Sequence, residues 1–487
     1  MNQSCAKNQE AISPTRRWVS IAICVAIGSA LWFSPAPEGV NEDGWHLLAV
    51  FVSTIASFIL RPFSMATMVL VALLVLTLTK TFGETSKEAL QVAVGGYGNT
   101  TVWLVIAAFL ISGTVIRSGL GRRIALSLIH RLGRTETGLA YGIGAAELIL
   151  GPIVPSNTAR GGGILAPIVD SLCRSLVNGD EAKRHNKVSE YLVLCGAHSN
   201  LITAAMFLTG MAANPLIAEA ASDVAGVEFG WGTWALGSIV PGLAALILLP
   251  HFLKRIVRPP KMSVASAHEQ AGRDLKEMGP VTRQEMILIG VFVTMLILWS
   301  TASWHHIHTA VVALLGVVIL LLTRAESWQN MSQNKGAWDA MVWLGGLIMM
   351  AGQLKELGII EWFAENTGVW VKDLGPLTAA LVLALIYFYS MYAFSMLTGH
   401  ITAMVAAFLA VATVSGTPPL LMVALLAYFS NLCGCLTNYS TGPVVIYFGL
   451  GYHSPKRWFQ IGLLVSFFHL FVWLGLGLPW WKFLGWW

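Results

Sequence analysis

Eleven apolar stretches divide this chain of 487 residues, and most of them match the thickness of a membrane. A helix needs about 20 apolar residues to cross a hydrocarbon core of about 30 Å. Hydrophobic residues make up 55% of the chain and charged residues 11%, and the mean hydropathy is +0.67. The composition therefore predicts an all-α polytopic membrane protein. The apolar stretches cover residues 18–32, 44–60, 64–81, 100–116, 188–217, 232–253, 284–301, 308–323, 338–354, 418–450 and 457–484.

Basic residues between the spans predict the orientation, and they account for the net charge of +5 without a nucleic acid partner. Arginines cluster in residues 117–134, and lysines and arginines fill residues 254–283. By the positive-inside rule both segments face the cytoplasm, together with the N-terminus, residues 1–17. We therefore expect a multi-pass protein of the cytoplasmic (inner) membrane. The six cysteines lie mostly in or beside apolar stretches, so no disulfide framework is predicted.

A polar hexapeptide, Pro-Ser-Asn-Thr-Ala-Arg at residues 155–160, separates two apolar stretches that are short for a bilayer crossing, 139–155 and 161–173. Irregular backbone at membrane depth is tolerated only where it is buried in protein or lines a cavity. Small hydroxyl and amide side chains suit the binding of a buried carboxylate. The hexapeptide is therefore predicted to be the tip of a re-entrant hairpin and a candidate substrate site.

A similar hairpin occurs in the second half, in residues 374–413, with a polar centre at residues 398–402. Each hairpin is followed by a span that contains a break, Thr-Gly-Met-Ala-Ala-Asn-Pro at 209–215 and Thr-Asn-Tyr-Ser-Thr-Gly-Pro at 437–443. The hairpins are offset by 399 − 156 = 243 positions and the breaks by 442 − 210 = 232. Paired interruptions at nearly one offset indicate the inverted repeats of a transporter.

The two hairpins and two breaks would place several helix ends at one depth in the membrane. Helix N-termini attract anions, and unwound carbonyls and hydroxyls offer oxygen ligands for a small cation. The alternative is that glycine and proline only kink closely packed helices.

These motifs resemble the divalent-anion:sodium symporter family, and in particular its bacterial citrate/succinate and tartrate/succinate antiporters and plastid 2-oxoglutarate/malate translocators. Besides the first tip and the segment 434–443, the resemblance rests on Pro-Ala-Pro at 35–37, residues 45–51 and Gly-Leu-Gly-Arg-Arg at 119–123. The resemblance implies a homodimer in the lipid bilayer, with a scaffold domain and a transport domain that moves as an elevator.

The resemblance also implies which residues bind a dicarboxylate or tricarboxylate. In such proteins the two hairpin tips hold the carboxylates, with the helix breaks close by. The second tip departs from the Ser-Asn-Thr pattern, because it reads Thr-Gly-His-Ile-Thr. The predicted substrate-binding residues are Ser156, Asn157, Thr158, Thr209, Gly210, Thr398, Gly399, His400, Thr402, Thr441, Gly442 and Pro443.

The implied domains follow the repeats. We expect scaffold helices in residues 18–134 and 283–370, and the transport domain in residues 135–230 and 371–456. The remaining parts are predicted to be a connecting membrane helix at 231–256, a cytoplasmic linker at 257–282 and a C-terminal helix at 457–487.

The coupling ion depends on how the charge of the substrate is balanced. His400 and Arg160 are candidates for neutralising part of a dianion, which favours exchange over sodium symport. Glu147, Asn214 and Asn438 are further candidates for coupling. A sodium ion would lie near Ser156, Asn157 and Gly210. No other metal or cofactor is expected beyond sodium ions or protons.

Two alternatives from other classes remain open. An intramembrane enzyme would use a buried serine and histidine, for example Ser395 and His400, but the chain has no Gly-x-Ser-x-Gly motif. A channel would lack saturable counterflow. The pattern of residues does not distinguish citrate, succinate, malate, tartrate and 2-oxoglutarate, since they differ in hydroxyl, oxo or carboxyl groups.

Overall fold

The computed structural model describes residues 14–176, 186–261, 263–367 and 374–487. Within these ranges the regular structure is helical and there is no β-strand. The all-α prediction is therefore confirmed, while most of the predicted cytoplasmic N-terminus lies outside the described residues.

The helices are given in chain order. The first group is α1 (Pro14–Trp32), α2 (Glu42–Leu60), α3 (Met65–Leu78), α4 (Ser86–Ala93), α5 (Thr100–Ser118), α6 (Leu120–Leu132), α7 (Glu136–Leu150) and α8 (Ala166–Ser175). The second group is α9 (Lys187–Met206), α10 (Asn214–Ala225), α11 (Trp231–Val257), α12 (Ala265–Glu277), α13 (Arg283–Ser300), α14 (Ala302–His305), α15 (Thr309–Leu322) and α16 (Trp328–Ser332). The last group is α17 (Lys335–Glu356), α18 (Ile359–Thr367), α19 (Pro376–Ser390), α20 (Leu397–Val414), α21 (Pro419–Leu432), α22 (Gly442–Gly449) and α23 (Pro455–Phe483).

Each of the eleven predicted spans contains at least one helix. By length and composition, eight of the described segments are apolar enough to cross a membrane, and α3 and α15 are apolar but shorter. The eight segments are Glu42–Leu60, Thr100–Ser118, Trp231–Val257, Arg283–Ser300, Pro376–Ala393, Leu397–Val414, Pro419–Leu436 and Pro455–Phe483.

The helices form two compact units. One comprises the residues up to Asn99 and Met341–Thr367, and the other comprises Thr100–Ala340 and Gly368–Trp487. Contacts therefore group residues 100–134 and 283–340 with the hairpins and broken helices, whereas the resemblance assigned them to the scaffold. The division into scaffold and transport domains stays a prediction.

Two helices of the second unit, α9 and α21, are buried along almost their whole length. A helix that is apolar on all sides is expected to lie in the interior. Both carry polar residues close to their C-terminal ends, and both end at the predicted breaks. The core of this unit therefore includes the interruptions on which the functional hypothesis depends.

Both breaks are confirmed as interruptions of a helix. After α9 the chain is extended at Phe207, forms a 3-10 turn at Leu208–Gly210 and resumes as α10 at Asn214. After α21 a 3-10 turn covers Cys433–Leu436, and α22 begins at Gly442. Proline lies in the first turn of α10 and of α22, where its missing N–H costs no hydrogen bond.

The first hairpin has the predicted form. Its arms are α7 and α8, and the chain between them turns through residues 151–157 into a π-helix, Thr158–Leu165. Short π-helical segments are frequent at functional sites. The predicted tip at residues 155–160 thus lies in the connection between the two arms.

The second hairpin differs from the prediction at its tip. Its arms, α19 and α20, are joined by a 3-10 turn at Met391–Ala393 and by residues 394–396. The predicted polar centre, residues 398–402, instead lies in the first turns of α20. The helix begins at Leu397 because Met396 is extended and the Leu397 N–H donates to the Ser440 carbonyl at 2.8 Å.

The predicted cytoplasmic linker contains a helix, α12, that the sequence reading missed. Val264, Ala267 and Ala271 are buried, so small apolar side chains recur at helical spacing. This face packs against α6 and α8. The arginine-rich segment 117–134 is likewise helical in α6 rather than a loop, and Arg122 in it lies 3.3 Å from Asp274 of α12.

Candidate functional site

The first hairpin tip contacts the second helix break directly. Asn157 Nδ2 donates to Thr441 Oγ1 at 3.0 Å, and both side chains are buried. Next to them, a Cβ atom added to Gly442 would lie 2.2 Å from Thr158 Oγ1, so only glycine fits there. The structure therefore brings together four of the predicted substrate-binding residues from opposite halves of the chain.

The first tip is also attached to the first break. Thr209 Oγ1 donates to the Pro152 carbonyl at 3.0 Å and accepts a hydrogen bond from Trp231 Nε1 at 3.1 Å. The Gly210 carbonyl accepts from Arg160 Nη1 at 3.0 Å. Thr209 and Gly210 thus lie at the predicted site, where they position the tip.

Arg160 and Glu147 form an ion pair that is fully buried, with 2.6 Å between Nε and Oε2. Arg160 Nη1 also donates to the Val154 carbonyl at 2.9 Å, and Nη2 donates to Thr203 Oγ1 at 3.2 Å. Because Glu147 neutralises the guanidinium and the hairpin uses its donors, these contacts do not favour charge compensation of the substrate by Arg160. The pair instead stabilises the hairpin from within.

Asn200 connects this ion pair to the tip. Asn200 was not among the residues predicted from the sequence. Its Nδ2 lies 3.0 Å from both carboxylate oxygens of Glu147 and 3.3 Å from the Asn157 carbonyl. A sequence signal existed, because Ser-Asn-Leu occurs at 199–201 and again at 430–432, before each break. The offset is 431 − 200 = 231, close to that of the breaks themselves.

The equivalent residue of the second repeat, Asn431, contacts the first break. Asn431 Nδ2 donates to Asn214 Oδ1 at 2.9 Å. Asn214 Nδ2 in turn donates to the carbonyls of Ala204 and Phe207 at 2.9 and 3.0 Å. Asn214 therefore satisfies carbonyl groups that the end of α9 exposes, and a coupling role for it stays a prediction.

His400 is buried within the second hairpin. Its Nε2 lies 2.8 Å from Ser390 Oγ of the opposite arm, and its ring centroid lies 4.3 Å from that of Tyr387. Ser390 is therefore a serine that hydrogen-bonds to this histidine. Nδ1 has no hydrogen-bond partner in the described part of the chain.

The remaining predicted residues differ in exposure. Thr158 is exposed, and Ser156, Thr398, Thr402, Asn438 and Gly442 are half-buried. Gly399 and Pro443 are buried. Thr402 Oγ1 donates to the Thr398 carbonyl of its own helix at 2.8 Å. The predicted residues thus include both accessible and buried groups, and their role in substrate binding stays a prediction.

Buried oxygen atoms without a partner lie at both broken helices. Among the described residues they include Asn200 Oδ1, Asn431 Oδ1 and Thr437 Oγ1. A buried polar atom without a partner calls for a physical explanation, such as water or an ion. Amide and hydroxyl oxygens are ligands for small hard cations, and of these three residues Asn200 contacts the predicted sodium position through the Asn157 carbonyl. The sodium site stays a prediction.

Comparison with known proteins matches residues 15–487 to the family described as the sodium:sulfate symporter transmembrane region. YflS of Bacillus subtilis, named as a candidate malate transporter, is 41% identical over 96% of this chain and 97% of its own length. Dicarboxylate transporter 1 of Arabidopsis thaliana chloroplasts is 37% identical over 95% of this chain and 82% of its own. The inner membrane protein YbhI of Escherichia coli is 32% identical over 96% of this chain and 98% of its own.

Among solved structures, the Alcanivorax borkumensis YdaH transporter matches 97% of this chain and 98% of its own, with 15% identity and a TM-score of 0.49.

Proposed function

Because this chain belongs to the family of the sodium:sulfate symporter transmembrane region, we propose that it exchanges dicarboxylates or tricarboxylates across the cytoplasmic membrane. The family comprises membrane transporters, so the chain is not an enzyme. Among candidate substrates, malate is supported by the name of the Bacillus relative and dicarboxylates in general by those of the chloroplast relatives. The N-terminus is proposed to face the cytoplasm.

The observation that carries this proposal is that the second break contacts both hairpin tips. Thr441 accepts from Asn157 of the first tip, and the Ser440 carbonyl accepts from the Leu397 N–H at the start of α20. The N-termini of α20, α22 and the π-helix therefore lie in segments that these hydrogen bonds connect to one another. Since helix N-termini attract negative charge, this group suits the binding of two carboxylates.

Charge balance supports exchange over uncoupled transport. Arg160 is paired with Glu147, and His400 contacts its own hairpin, so a bound dianion is balanced by backbone N–H groups and helix dipoles. An empty site leaves these donors unsatisfied in a medium of low dielectric constant, which is costly. The empty transport domain would then cross the membrane slowly, and efflux of one anion would be tied to uptake of another.

The connections between tips and breaks also support movement as one body. Asn157 and Thr441, Arg160 and Gly210, and Leu397 and Ser440 join the hairpins to the broken helices through hydrogen bonds. An elevator mechanism requires such a body, with a scaffold held in place by a second copy in a homodimer. Both the elevator and the homodimer are part of this proposal.

A second candidate function is sodium-coupled symport. It is favoured by the buried oxygens of Asn200, Asn431 and Thr437 that have no partner within the described ranges. Sodium ions at these positions would supply positive charge that the side chains do not. Binding of the anion and of the cation would then be mutually dependent.

Counterflow in proteoliposomes distinguishes the two. Vesicles loaded with unlabelled malate and vesicles without it are given labelled succinate outside, each with and without an inward sodium gradient. Exchange predicts saturable uptake that requires internal malate and is independent of sodium. Uptake into unloaded vesicles that follows the sodium gradient would establish symport instead, and uptake that does not saturate would indicate a channel.

A further inference from the structure

A basic cavity lies apart from the hairpin tips, where the start of α7, the end of α11 and the start of α12 meet. Its volume is about 680 Å³. Its ionisable lining residues are Arg134, Glu136, Lys254, Lys261 and His268. All of these lie near the ends of helices or in the polar segment between α11 and α12.

The charges in this cavity do not cancel. Lys254 Nζ lies 3.2 Å from Glu136 Oε2 and 3.1 Å from Thr137 Oγ1, so this lysine and the buried carboxylate form a neutral pair. Arg134 and Lys261 are exposed and add two positive charges. The cavity therefore carries a net positive charge at neutral pH even with His268 neutral.

The N-termini of two helices line the same cavity. Thr135 caps α7, a helix of 15 residues, and its Oγ1 accepts from the Gly138 N–H. Val264 precedes α12, a helix of 13 residues, and provides no capping side chain. Because the first N–H groups of a helix lack intrahelical partners, both helices direct donors and positive ends of their dipoles toward this region.

The protonation state of His268, another lining residue, would depend on whether an anion is bound in the cavity. Its ring stacks on that of His130, with 4.4 Å between the centroids, and its buried Nδ1 has no hydrogen-bond partner among the described residues. Burial, His130 and Arg134 lower the pKa of His268, while Glu269 opposes them. Since these neighbours disfavour the imidazolium, an anion in the cavity would favour it.

We propose that this cavity binds a small polyanion with two or more phosphate or carboxylate groups, at a site separate from the transported substrate. Free polyanions of the cytoplasm and the headgroups of anionic lipids share this chemistry. Each would be held by Arg134 and Lys261, by the N–H groups at the two helix starts and by Lys254 beside its carboxylate.

Occupancy would affect the mobility of the first hairpin. The helix α7 is the first arm of that hairpin, and α12 packs against α6 and α8. A polyanion between Arg134 and Lys261 would join the base of the hairpin to the start of the linker helix. The expected consequence is a change in the maximal rate of exchange, with little change in the KM for substrate.

Binding to the purified full-length protein tests this proposal without any transport step, so the outcome does not depend on the proposed function. Inorganic pyrophosphate, titrated by calorimetry, is the free anion, and vesicles with or without phosphatidylglycerol are the lipid probe. The double variant Arg134→Gln/Lys261→Gln removes the two exposed charges. The control Lys276→Gln removes an exposed charge from α12 outside the cavity.

We expect the double variant to bind pyrophosphate roughly tenfold or more weakly, because two charges near the anion are lost, and the control to bind as the unaltered protein does. A preference for phosphatidylglycerol vesicles that the double variant loses, without pyrophosphate binding, would identify the lipid headgroup as the ligand. Equal binding of both probes by the double variant and the control, or no binding of either probe, would overturn the proposal. Unchanged melting temperatures show that the variants are folded.

Discussion

Asn157 and Thr441 lie 284 positions apart, yet the Asn157 amide donates a buried hydrogen bond of 3.0 Å to the Thr441 hydroxyl. This bond joins the tip of the first hairpin to the break of the second repeat. Two segments that are each a short polar interruption in the sequence are thereby in direct contact.

Replacing Thr441 by valine tests this bond. Thr441→Val leaves the buried Asn157 amide without its acceptor, which costs about 1–3 kcal/mol. If the lost bond stabilises the substrate-bound state, we expect the KM for substrate to rise roughly 5- to 150-fold. The control is Thr413→Val, whose hydroxyl donates only to the Leu409 carbonyl of its own helix. Similar KM values for both variants in counterflow would show that the bond has no role in binding.

Gly442→Ala tests the close approach of the second break to the first tip. The added Cβ would lie 2.2 Å from Thr158 Oγ1, so the tip must move and the exchange rate should fall strongly. Gly449→Ala is the matched control in the same helix, because nothing lies within 4 Å of its Cβ position. Adding Thr158→Ala to Gly442→Ala removes the clashing hydroxyl and should restore part of the rate. Full activity of Gly442→Ala alone would contradict the geometry.

Glu147→Gln tests the buried ion pair. The substitution leaves the Arg160 guanidinium buried without a counter-charge, and breaking such a pair costs about 3–5 kcal/mol. We expect a large fall in the melting temperature of the purified protein. Glu269→Gln serves as control, since Glu269 and Arg273 are both exposed and 3.6 Å apart, a kind of pair worth about 0–1 kcal/mol. Equal stability of the two variants would mean that the buried pair is replaceable.

Glu326, in the loop between α15 and α16, should make stability depend on pH. Burial alone raises the pKa of this carboxyl, but hydrogen bonds from Arg117, Asn330 and the Ser327 N–H outweigh it and lower the pKa overall. A carboxyl whose pKa is lower in the folded state than in the unfolded state stabilises the fold at pH values above its unfolded-state pKa of about 4.3. This stabilisation is lost as the pH falls through the folded-state pKa.

Glu326→Gln should therefore lower the melting temperature at neutral pH, and the difference should shrink as the pH falls below about 4. Thermal unfolding of both proteins between neutral and acidic pH measures this. A difference that stays constant across the range would show that the carboxylate charge is not the stabilising feature.

Several features followed from local sequence alone. The apolar spans, the turn at Ser156 and Asn157 and the helix breaks at Gly210 and Gly442 were predicted within a few residues, because each depends on a polar, glycine- or proline-containing interruption of an apolar run. Membership of a transporter family was also evident from these motifs.

Other features were missed for identifiable reasons. The second tip was predicted at His400, since Thr-Gly-His-Ile-Thr is the most polar segment there, but α20 begins at Leu397 through a bond to Ser440. The helix α12 was missed because its buried face consists of small side chains such as Ala267 and Ala271. Asn200 was missed because its signal is a repeat of only three residues, Ser-Asn-Leu at 199–201 and 430–432, which gives no indication of the partners of the amide.

The amino-acid sequence was sufficient to predict a helical membrane protein with two interrupted hairpins and two interrupted helices. These properties depend on polarity and backbone preference over a few neighbouring residues. Three pairings became visible only in the folded chain, namely Arg160 with Glu147, Asn157 with Thr441 and His400 with Ser390. Hydrogen bonds and ion pairs depend on which groups meet in space, and these partners lie 10 to 284 positions apart.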